Sequence, residues 1–394
     1  MNRCLLWIFL LVLLLTSCVE SSHYDVGMGL SENKSIVQSV TSKEFTPSAI
    51  ATPSSTPLPI STSTAIQPTN PTQTSVASIP TPTLRPTLQS LEAFSTDILR
   101  SYVSAIPYID NPCIYLENRW GAGKSNPGTI VVPIMFHSIA KQGREITDST
   151  TISTAFFKYI MDKAKEMGFS TITTDQLIGF LDHNEAIPER SMILILDDRR
   201  PGVTELFMPY LEENDWTLTL GWPTTDETRD SLWTRMEALA ESGRLDIQSH
   251  GHNHIYIQDY TPVEEIYEEI YAPIDAIQTH FNRRPLMIVW PGGNFTQQAV
   301  SIAREAGFKL GFTVFSRGPI MFNWVPQGDA EIAMQDPLMV LPRFWSTAAD
   351  VALEQAVLIS EQAKEFSTAV KAEELFYYKN YCQPEKGANI RETR

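Results

Sequence analysis

Residues 191–198 read Ser-Met-Ile-Leu-Ile-Leu-Asp-Asp, a continuous apolar run that ends in two carboxylates. An apolar run of this length, bounded by polar residues, is typical of a strand that is buried on both faces. Two further predicted strands are also followed at once by a polar side chain: residues 128–136 lead into His137 and residues 245–249 lead into His250. These stretches predict three buried strands, each followed at once by a polar side chain.

Segments with helical periodicity separate the strands along most of the chain. Strands that alternate with helices predict βα units and a mainly parallel sheet. About seven such units in about 220 residues suit an α/β fold with a closed or nearly closed barrel, with functional groups at the carboxyl ends of the strands. Helices are expected over residues 153–167, 174–181, 203–213, 228–242, 262–281, 296–306 and 347–365, and further strands over 169–173, 216–220, 286–290, 309–314 and 338–341.

The chain divides by composition into five segments. Residues 46–89 are dominated by Ser, Thr and Pro and carry almost no charge. Such a stretch cannot bury enough apolar surface to offset the entropy lost on ordering, so a disordered tether is expected to precede the folded part. The predicted boundaries are 1–18 for a signal peptide, 19–92 for the linker, 93–128 for an N-terminal flank, 129–346 for the main domain and 347–394 for a C-terminal helical flank.

The N-terminal residues predict export from the cytoplasm. Arg3 precedes an apolar run from Leu5 to Leu15, which is shorter than the roughly twenty residues that span a bilayer and has the proportions of a signal peptide. The adjoining Leu15-Thr-Ser-Cys18 resembles the lipobox of bacterial lipoproteins, which implies that Cys18 is lipidated. An ordinary signal peptide with a chance cysteine is the alternative. We expect an extracytoplasmic protein that contacts the membrane through this lipid only.

The net charge of −16 lies mostly outside the nearly neutral linker. Nucleic acid as a partner is therefore not expected, because binding to phosphates requires a basic surface. We expect a monomer.

Two cysteines, Cys113 and Cys382, remain after removal of the signal peptide and lipidation of Cys18. They flank the main domain, and in an oxidising compartment such a pair can be bridged by a disulfide. Two free thiols are the alternative.

Three motifs give the sequence between about residues 130 and 344 a specific likeness. They are Ile195-Leu-Asp-Asp198, Ser249-His-Gly-His-Asn-His254 and Trp290-Pro-Gly-Gly293. In this order and spacing they resemble the polysaccharide deacetylase family, also called the NodB-homology or carbohydrate esterase 4 family. Within this family, the sequence most resembles the branch of the poly-N-acetylglucosamine deacetylases. The resemblance implies a distorted (β/α)7 barrel and a hydrolase that removes acetyl groups from polysaccharides.

The resemblance further implies one divalent metal ion held by Asp198, His250 and His254, with Asp197 as the general base. Zn²⁺ is the first choice, and Co²⁺, Mn²⁺, Ni²⁺ and Fe²⁺ are alternatives. Two neutral imidazoles and one carboxylate leave coordination positions open for water and substrate. The aspartates could instead cap the following helix, and the histidines could belong to a surface loop that binds metals adventitiously.

Deacetylation of an amide also requires a general acid, because the departing amine must be protonated. The family usually places a histidine after the last strand, but this sequence has none beyond His280. His137 follows the first strand, which neighbours the last strand in a closed barrel, and the poly-N-acetylglucosamine branch has a similar histidine there. We therefore assign His137 as the acid; a structural histidine at a strand end is the alternative.

Other residues are assigned to the substrate groove or to the support of the site. Asp246 and Gln248 share one face of their strand with His250, and Arg343 could orient Asp197 or serve only as a buried structural residue. His252 should point away from the metal. The groove is expected to be lined by Trp290, Pro291, Gly292 and Gly293, with the N–H of the last residue binding the oxyanion.

Arg199 departs from the family pattern, which usually has glycine directly after the aspartate pair. The expected function is removal of acetyl groups from N-acetylated polysaccharide of the peptidoglycan or poly-N-acetylglucosamine type. An O-acetyl esterase for xylan-like chains is one alternative. A glycan-binding envelope protein that has lost turnover through Arg199 is another.

Overall fold

The apolar run at 191–198 forms a central strand of a parallel sheet in a computed structural model that describes residues 91–141 and 143–383. Cys18 and nearly all of the predicted linker lie outside these residues. The strands are β1 (Ser104–Ile106), β2 (Ile130–Phe136), β3 (Ser138–Ala140), β4 (Thr151–Ser153), β5 (Ser170–Thr171), β6 (Arg190–Asp197), β7 (Leu218–Trp222), β8 (Leu245–Ser249), β9 (Met287–Val289), β10 (Leu310–Phe312), β11 (Val325–Gln327) and β12 (Phe344–Trp345). The helices are α1 (Pro112–Trp120), α2 (Thr154–Glu166), α3 (Thr174–His183), α4 (Pro201–Asn214), α5 (Asp230–Ala240), α6 (Val263–Phe281), α7 (Gln297–Glu305), α8 (Asp329–Ile332) and α9 (Ala349–Tyr377).

The main sheet is parallel throughout and curls into a partial barrel. Its strand order is β10-β9-β8-β7-β6-β2-β12, and β5 pairs with β6 beside this path. Residues 341–345 bridge the two sides of the curl, because Leu341 pairs with Phe312 of β10 while Phe344 pairs with Ile134 of β2. The α/β fold of the distorted (β/α)7 type expected from the sequence is confirmed.

Alternate residues of each strand pack into two different cores, as the pleat of a strand requires. On β6, Leu194 and Leu196 belong to the cluster between the sheet and its covering helices. Ile193 and Ile195 belong to a separate cluster inside the curl. The sheet is thus buried on both faces, which explains why β2 and most of β6 are continuously apolar.

Aromatic side chains fasten the covering helices to the outer face of the sheet. Phe157 of α2 and Phe207 of α4 both pack edge to face against Phe136 of β2. All three rings are buried, and burial of a side chain of this size contributes about 1.5–3 kcal/mol. Side-chain oxygens of Ser153 and Thr173 cap the N-termini of α2 and α3.

Both flanks of the main domain pack onto it. Strand β1 pairs with β11 in antiparallel orientation, so the N-terminal flank is joined to the sheet region by a short ladder. Cys113 at the start of α1 forms a disulfide with Cys382, and their Cα atoms are 5.3 Å apart. This bond connects positions separated by 269 residues and so ties the two flanks together.

Two expected elements differ in the structure. The strand predicted over residues 338–341 is wrong, because Pro337–Met339 forms a 3₁₀ turn and the strand pairing with β2 comes later, at β12. Proline fixes its own φ and lacks an N–H, which favours a turn at this point. The helix predicted over 347–365 extends to Tyr377 as α9. Within the described residues, no helix combines the length and the apolar character needed to cross a membrane.

Candidate active site

The pleat of the strands places several candidate functional side chains at one end of the partial barrel, where the strands have their carboxyl ends. We call this end the mouth of the sheet. Every second residue of a strand faces the same side, so the inner face of β6 continues from Ile195 to Asp197. The same step of two residues continues the inner faces of β2, β8 and the closing segment 341–345 to the carboxyl ends of the strands. The side chains placed in this way are His137, Asp197, His250, Arg343 and Trp345.

Asp197 is buried and paired with an equally buried arginine. Its Oδ1 accepts a hydrogen bond of 2.7 Å from Nη1 of Arg343, whose Nε donates to the carbonyl of Thr313 at 2.7 Å. Burial alone would raise the pKa of Asp197, but Arg343, His250 and His137 lower it to about 2. Asp197 is therefore ionised at neutral pH and presents Oδ2 to the mouth of the sheet.

His137 lies next to this carboxylate. Its Nε2 is 3.5 Å from Oδ2 of Asp197, and its ring stacks on the indole of Trp345 at 5.7 Å between centroids. Burial lowers the pKa of His137 below its ordinary value, while Asp197 acts in the opposite direction. The imidazole is thus predominantly neutral at pH 7 and must gain a proton before it can donate one.

Asp198, His250 and His254 bring three ligand atoms together. Nε2 of His254 lies 3.1 Å from Nε2 of His250 and 3.5 Å from Oδ1 of Asp198, and the third separation is 3.9 Å. Donor atoms that share one ion at bond lengths of about 2.0–2.2 Å are separated by such distances. The residues present therefore fit a single divalent metal ion.

The local hydrogen bonds of His250 favour the form that binds metal. Its Nδ1 lies 2.8 Å from the carbonyl oxygen of Val289, which can only accept, so Nδ1 carries the hydrogen and Nε2 is free. Burial lowers the pKa of His250 to about 4. A neutral imidazole with a fixed tautomer is the ordinary metal ligand among histidines.

Asp198 contacts an arginine that the sequence did not single out. Nη2 of Arg200 lies 2.8 Å from Oδ2 of Asp198, and Nη1 of the same guanidinium donates to Oγ of Ser138 at 2.7 Å. Burial opposes ionisation of Asp198, but the hydrogen bond from Arg200 and the nearby His250 lower its pKa. Oδ2 is therefore occupied by Arg200, whereas Oδ1 faces the imidazoles.

Arg199, the departure from the family pattern, turns away from the aspartates. Its Nη1 donates to Oγ1 of Thr228 at 2.6 Å. The positive charge next to the aspartate pair is supplied instead by Arg200. The backbone explains the difference, because Asp198 has a φ of 72° and redirects the chain at this point.

The Trp-Pro-Gly-Gly motif does not form the groove wall expected from the sequence. Trp290 is fully buried and donates its indole N–H to the carbonyl of Met339, while Pro291 and Gly293 are also buried. The N–H of Gly293 donates to the carbonyl of Trp290 within a 3₁₀ turn, so it is not free to bind an oxyanion. Only Gly292 of this motif is exposed, and a side chain there would collide with the ring of Tyr256.

Asp246 and Gln248 do not support the metal ligands. Asp246 accepts from the N–H of Thr174 and from Nε2 of Gln248, whose Oε1 accepts from the N–H groups of Leu286 and Met287. Although these side chains share a face with His250, Asp246 lies four residues earlier, which is about 13 Å along a strand. Asp246 thus stabilises the opposite end of β8, and Gln248 joins β8 to the start of β9.

His252 points away from the ligand cluster, with Nδ1 3.0 Å from Oγ1 of Thr224.

Glu269 of α6 is a buried carboxylate behind the histidines that the sequence analysis missed. Burial raises the pKa of Glu269 to about 7 even though backbone N–H groups of the histidine loop lower it. A signal for it existed, because a glutamate interrupts the apolar stripe of α6 between Ile266 and Ile270.

Residues 184–311 match the family model described as polysaccharide deacetylase. The matched range contains the aspartate pair, both histidine ligand candidates and the Trp-Pro-Gly-Gly motif, but not His137 or Arg343. No curated protein matches the chain significantly.

The chain is also similar to solved structures, at low identity. The deacetylase PplD of Streptococcus pyogenes, described in complex with acetate, is 18% identical over 59% of this chain and 99% of its own, with a TM-score of 0.47. IcaB of Ammonifex degensii is 15% identical over 61% of this chain and 100% of its own, with a TM-score of 0.46. A de-N-acetylase of Aggregatibacter actinomycetemcomitans is 15% identical over 55% of this chain and 94% of its own, with a TM-score of 0.44.

Proposed function

We propose that this chain, which belongs to the polysaccharide deacetylase family, hydrolyses the acetamido groups of N-acetylated sugars with the help of one divalent metal ion. The observation that carries the proposal is the adjacency of two sets of side chains at one mouth of the sheet. Asp198, His250 and His254 form a cluster of metal-ligating type, and Asp197 and His137 form an acid–base pair beside it.

The donor set favours zinc. Two neutral imidazoles and one carboxylate are ligands that Zn²⁺ accepts in catalytic sites, where further positions stay open; Co²⁺, Mn²⁺, Ni²⁺ and Fe²⁺ are alternatives. A divalent ion held there lowers the pKa of water and polarises an acetyl carbonyl. Arg200 keeps the other oxygen of Asp198 occupied, so this carboxylate would offer a single atom, Oδ1.

Asp197 and His137 handle the protons of the reaction. Hydrolysis forms a C–O bond between water and the acetyl carbon and breaks the C–N bond, which leaves acetate and an amine. Asp197 accepts the proton that the attacking water loses, and Arg343 fixes the direction of its carboxylate. His137, 3.5 Å away, receives this proton and donates it to the departing nitrogen. The amide nitrogen is a poor leaving group, so hydrolysis of an amide depends on this proton more than hydrolysis of an ester does.

Release of acetate tests the proposal. Purified protein should release acetate from N-acetylated glucosamine oligomers and from peptidoglycan, and dialysis against a chelator should abolish the release until Zn²⁺ is restored. Acetylated xylan serves as the comparison substrate, because turnover of it alone would indicate an O-acetyl esterase. Metal content of wild type and of His250→Ala should differ by about one ion per molecule. Equal content in both, or acetate release that is insensitive to chelation, would refute the proposal.

We also propose that the enzyme acts outside the cytoplasm, anchored by lipid at Cys18. The support is the sequence Leu15-Thr-Ser-Cys18 after an apolar run and the Ser/Thr/Pro-rich stretch that follows. Metabolic labelling with a palmitate analogue should mark the wild type, and Cys18→Ser should remove the label. A label that persists in this variant would rule out Cys18 as the acceptor.

A further inference from the structure

The loop that carries His254 is folded around a buried carboxylate. Glu269 of α6 is only 2% exposed, and it accepts hydrogen bonds from the backbone N–H groups of His252 at 3.0 Å and Asn253 at 2.5 Å. Two successive residues of the loop thus direct their N–H groups at one side chain, one to each carboxylate oxygen.

Glu269 pairs with no cation within the described residues, because no Lys, Arg or His nitrogen there lies within 4.0 Å of its carboxylate. Its neighbours on the buried face of α6 are apolar, including Ile266 and Ile270. A carboxyl group in such surroundings is costly unless hydrogen bonds compensate for lost water. The loop provides that compensation, so the loop conformation and the position of Glu269 depend on each other.

The backbone of the loop is shaped to receive this carboxylate. Gly251 has a φ of 76°, and a Cβ at this position would collide with Oε2 of Glu269. His254 has a φ of 60°, a left-handed conformation that residues with side chains rarely adopt without local support. This conformation brings Nε2 of His254 to 3.1 Å from Nε2 of His250.

We propose that Glu269 is a positioning residue that holds the 252–255 loop and thereby presents His254 to His250 and Asp198. This inference rests on the proposed metal-dependent function. Glu269 bonds the backbone N–H groups of His252 and Asn253, which lie between the two histidine ligand candidates, so it acts through the geometry of the loop. Partners of this kind behind metal ligands typically change metal affinity 10- to 100-fold when they are removed.

Zinc affinity tests the role, measured by competition with a chromophoric chelator on the purified chain. Glu269→Gln keeps the size of the side chain but replaces one acceptor oxygen with an NH₂ group that cannot accept. It should raise the Kd for Zn²⁺ by about 10- to 100-fold. Because the three ligands remain, acetate release by this variant should recover in large part at saturating Zn²⁺.

Glu331→Gln is the matched control. Glu331 of α8 is also a buried glutamate, 1% exposed, and accepts from the N–H of Gly328 at 3.0 Å, but it pairs with Arg317 and not with the histidine loop. This variant should lose stability and keep its Kd for Zn²⁺ within about twofold of wild type.

The outcomes separate the two claims. If wild type binds no Zn²⁺, the proposed function fails and the role of Glu269 fails with it. If wild type binds Zn²⁺ and folded Glu269→Gln binds equally well, the role of Glu269 alone is overturned. Should circular dichroism show Glu269→Gln to be unfolded, Glu269→Asp replaces it. This shorter carboxylate should raise the Kd if the inference holds, and an unchanged Kd would overturn it.

Discussion

The guanidinium of Arg200 holds one carboxylate oxygen of Asp198, with 2.8 Å between Nη2 and Oδ2. The same guanidinium bonds Ser138, which directly follows His137. Arg200 therefore links the residue beside the proposed acid to a candidate metal ligand. Both Arg200 and Asp198 are partly exposed, at 39% and 26% of their side chains. We expect the interaction to adjust metal binding moderately and not to decide it.

Removal of the charge of Arg200 should tighten metal binding. Arg200→Gln keeps a hydrogen-bond donor but removes a positive charge that repels a divalent ion bound nearby. For a partly exposed pair the effect is about 1 kcal/mol or less, so the Kd for Zn²⁺ should fall by up to about fivefold. Arg200→Lys retains the charge and serves as the control, with a Kd near that of wild type. Weaker binding by Arg200→Gln would mean that Arg200 acts mainly by orienting Asp198.

Arg199 should be replaceable by the glycine that the family usually has. Its guanidinium bonds Thr228 and no aspartate, so Arg199→Gly should keep zinc content unchanged and acetate release within about threefold of wild type. Thr228→Val, which removes the acceptor of the same hydrogen bond, should behave alike. A gain in turnover of a hundredfold or more in Arg199→Gly would instead identify this residue as the cause of an impaired enzyme.

His137→Ala should lose amide hydrolysis far more than ester hydrolysis. Loss of a general acid reduces turnover of an amide by about two to four orders of magnitude, because the amine leaves as a protonated group. Hydrolysis of an activated aryl acetate hardly requires this proton, so the turnover of that substrate should fall much less. Zinc content should remain that of wild type. Equal losses on both substrates would assign His137 a structural or metal-binding role.

Asp197→Asn should destabilise the fold as well as abolish turnover. Arg343 is fully buried, and loss of its partner leaves an uncompensated charge, which costs about 3–5 kcal/mol. Asp198→Asn is the matched control, because its partner Arg200 is partly exposed and the loss should be about 1 kcal/mol or less. Urea unfolding of the metal-free proteins at pH 7 measures both. Similar losses for the two variants would contradict the importance of the Asp197–Arg343 pair.

The same pair predicts a loss of stability in acid. The pKa of Asp197 in the folded state, about 2, lies below its ordinary value of 3.8. Its contribution to stability is therefore complete above the ordinary value and is lost as the pH falls towards 2. Between pH 4 and pH 2, the free energy of unfolding should fall more steeply for wild type than for Asp197→Asn. Parallel curves would show that Asp197 does not titrate in this range.

The disulfide between Cys113 and Cys382 should contribute strongly to stability. Loss of a cross-link over so long a segment typically costs about 2–5 kcal/mol, mainly because the unfolded chain gains freedom. The double variant Cys113→Ser/Cys382→Ser should have a lower Tm than wild type. Addition of dithiothreitol should lower the Tm of wild type and leave that of the double variant unchanged. A shift of equal size in both would show that the reductant acts elsewhere.

Much of the fold was predictable from the sequence because it depends on regular patterns. Continuous apolar strands such as 191–196, alternating with helical segments, specify a parallel sheet that is buried on both faces. The step of two residues along each strand then places Asp197 and His250 on the inner face. The proposed acid could be located for the same reason, since neighbouring first and last strands follow from the curl of the sheet.

The details of the site depend on loop backbone that such patterns do not specify. Arg199 and Arg200 are adjacent identical residues, and only the left-handed turn at Asp198 decides which of them contacts its carboxylate. Trp290 was expected in the groove wall, but its side chain lies in the core that α6 and α7 form with the sheet. The hydrogen bond that occupies the Gly293 N–H likewise comes from a 3₁₀ turn that the motif alone does not reveal.

Residues 341–345 join the two sides of the curled sheet, and they also carry Arg343 and Trp345, the partners of Asp197 and His137. The aspartate pair precedes this segment by well over a hundred residues of chain, so it leaves the ribosome long before its partners exist. A nascent or prematurely terminated polypeptide therefore lacks the partners of both groups that we propose to transfer protons. We therefore expect the proposed activity only from polypeptides whose synthesis has passed residue 345.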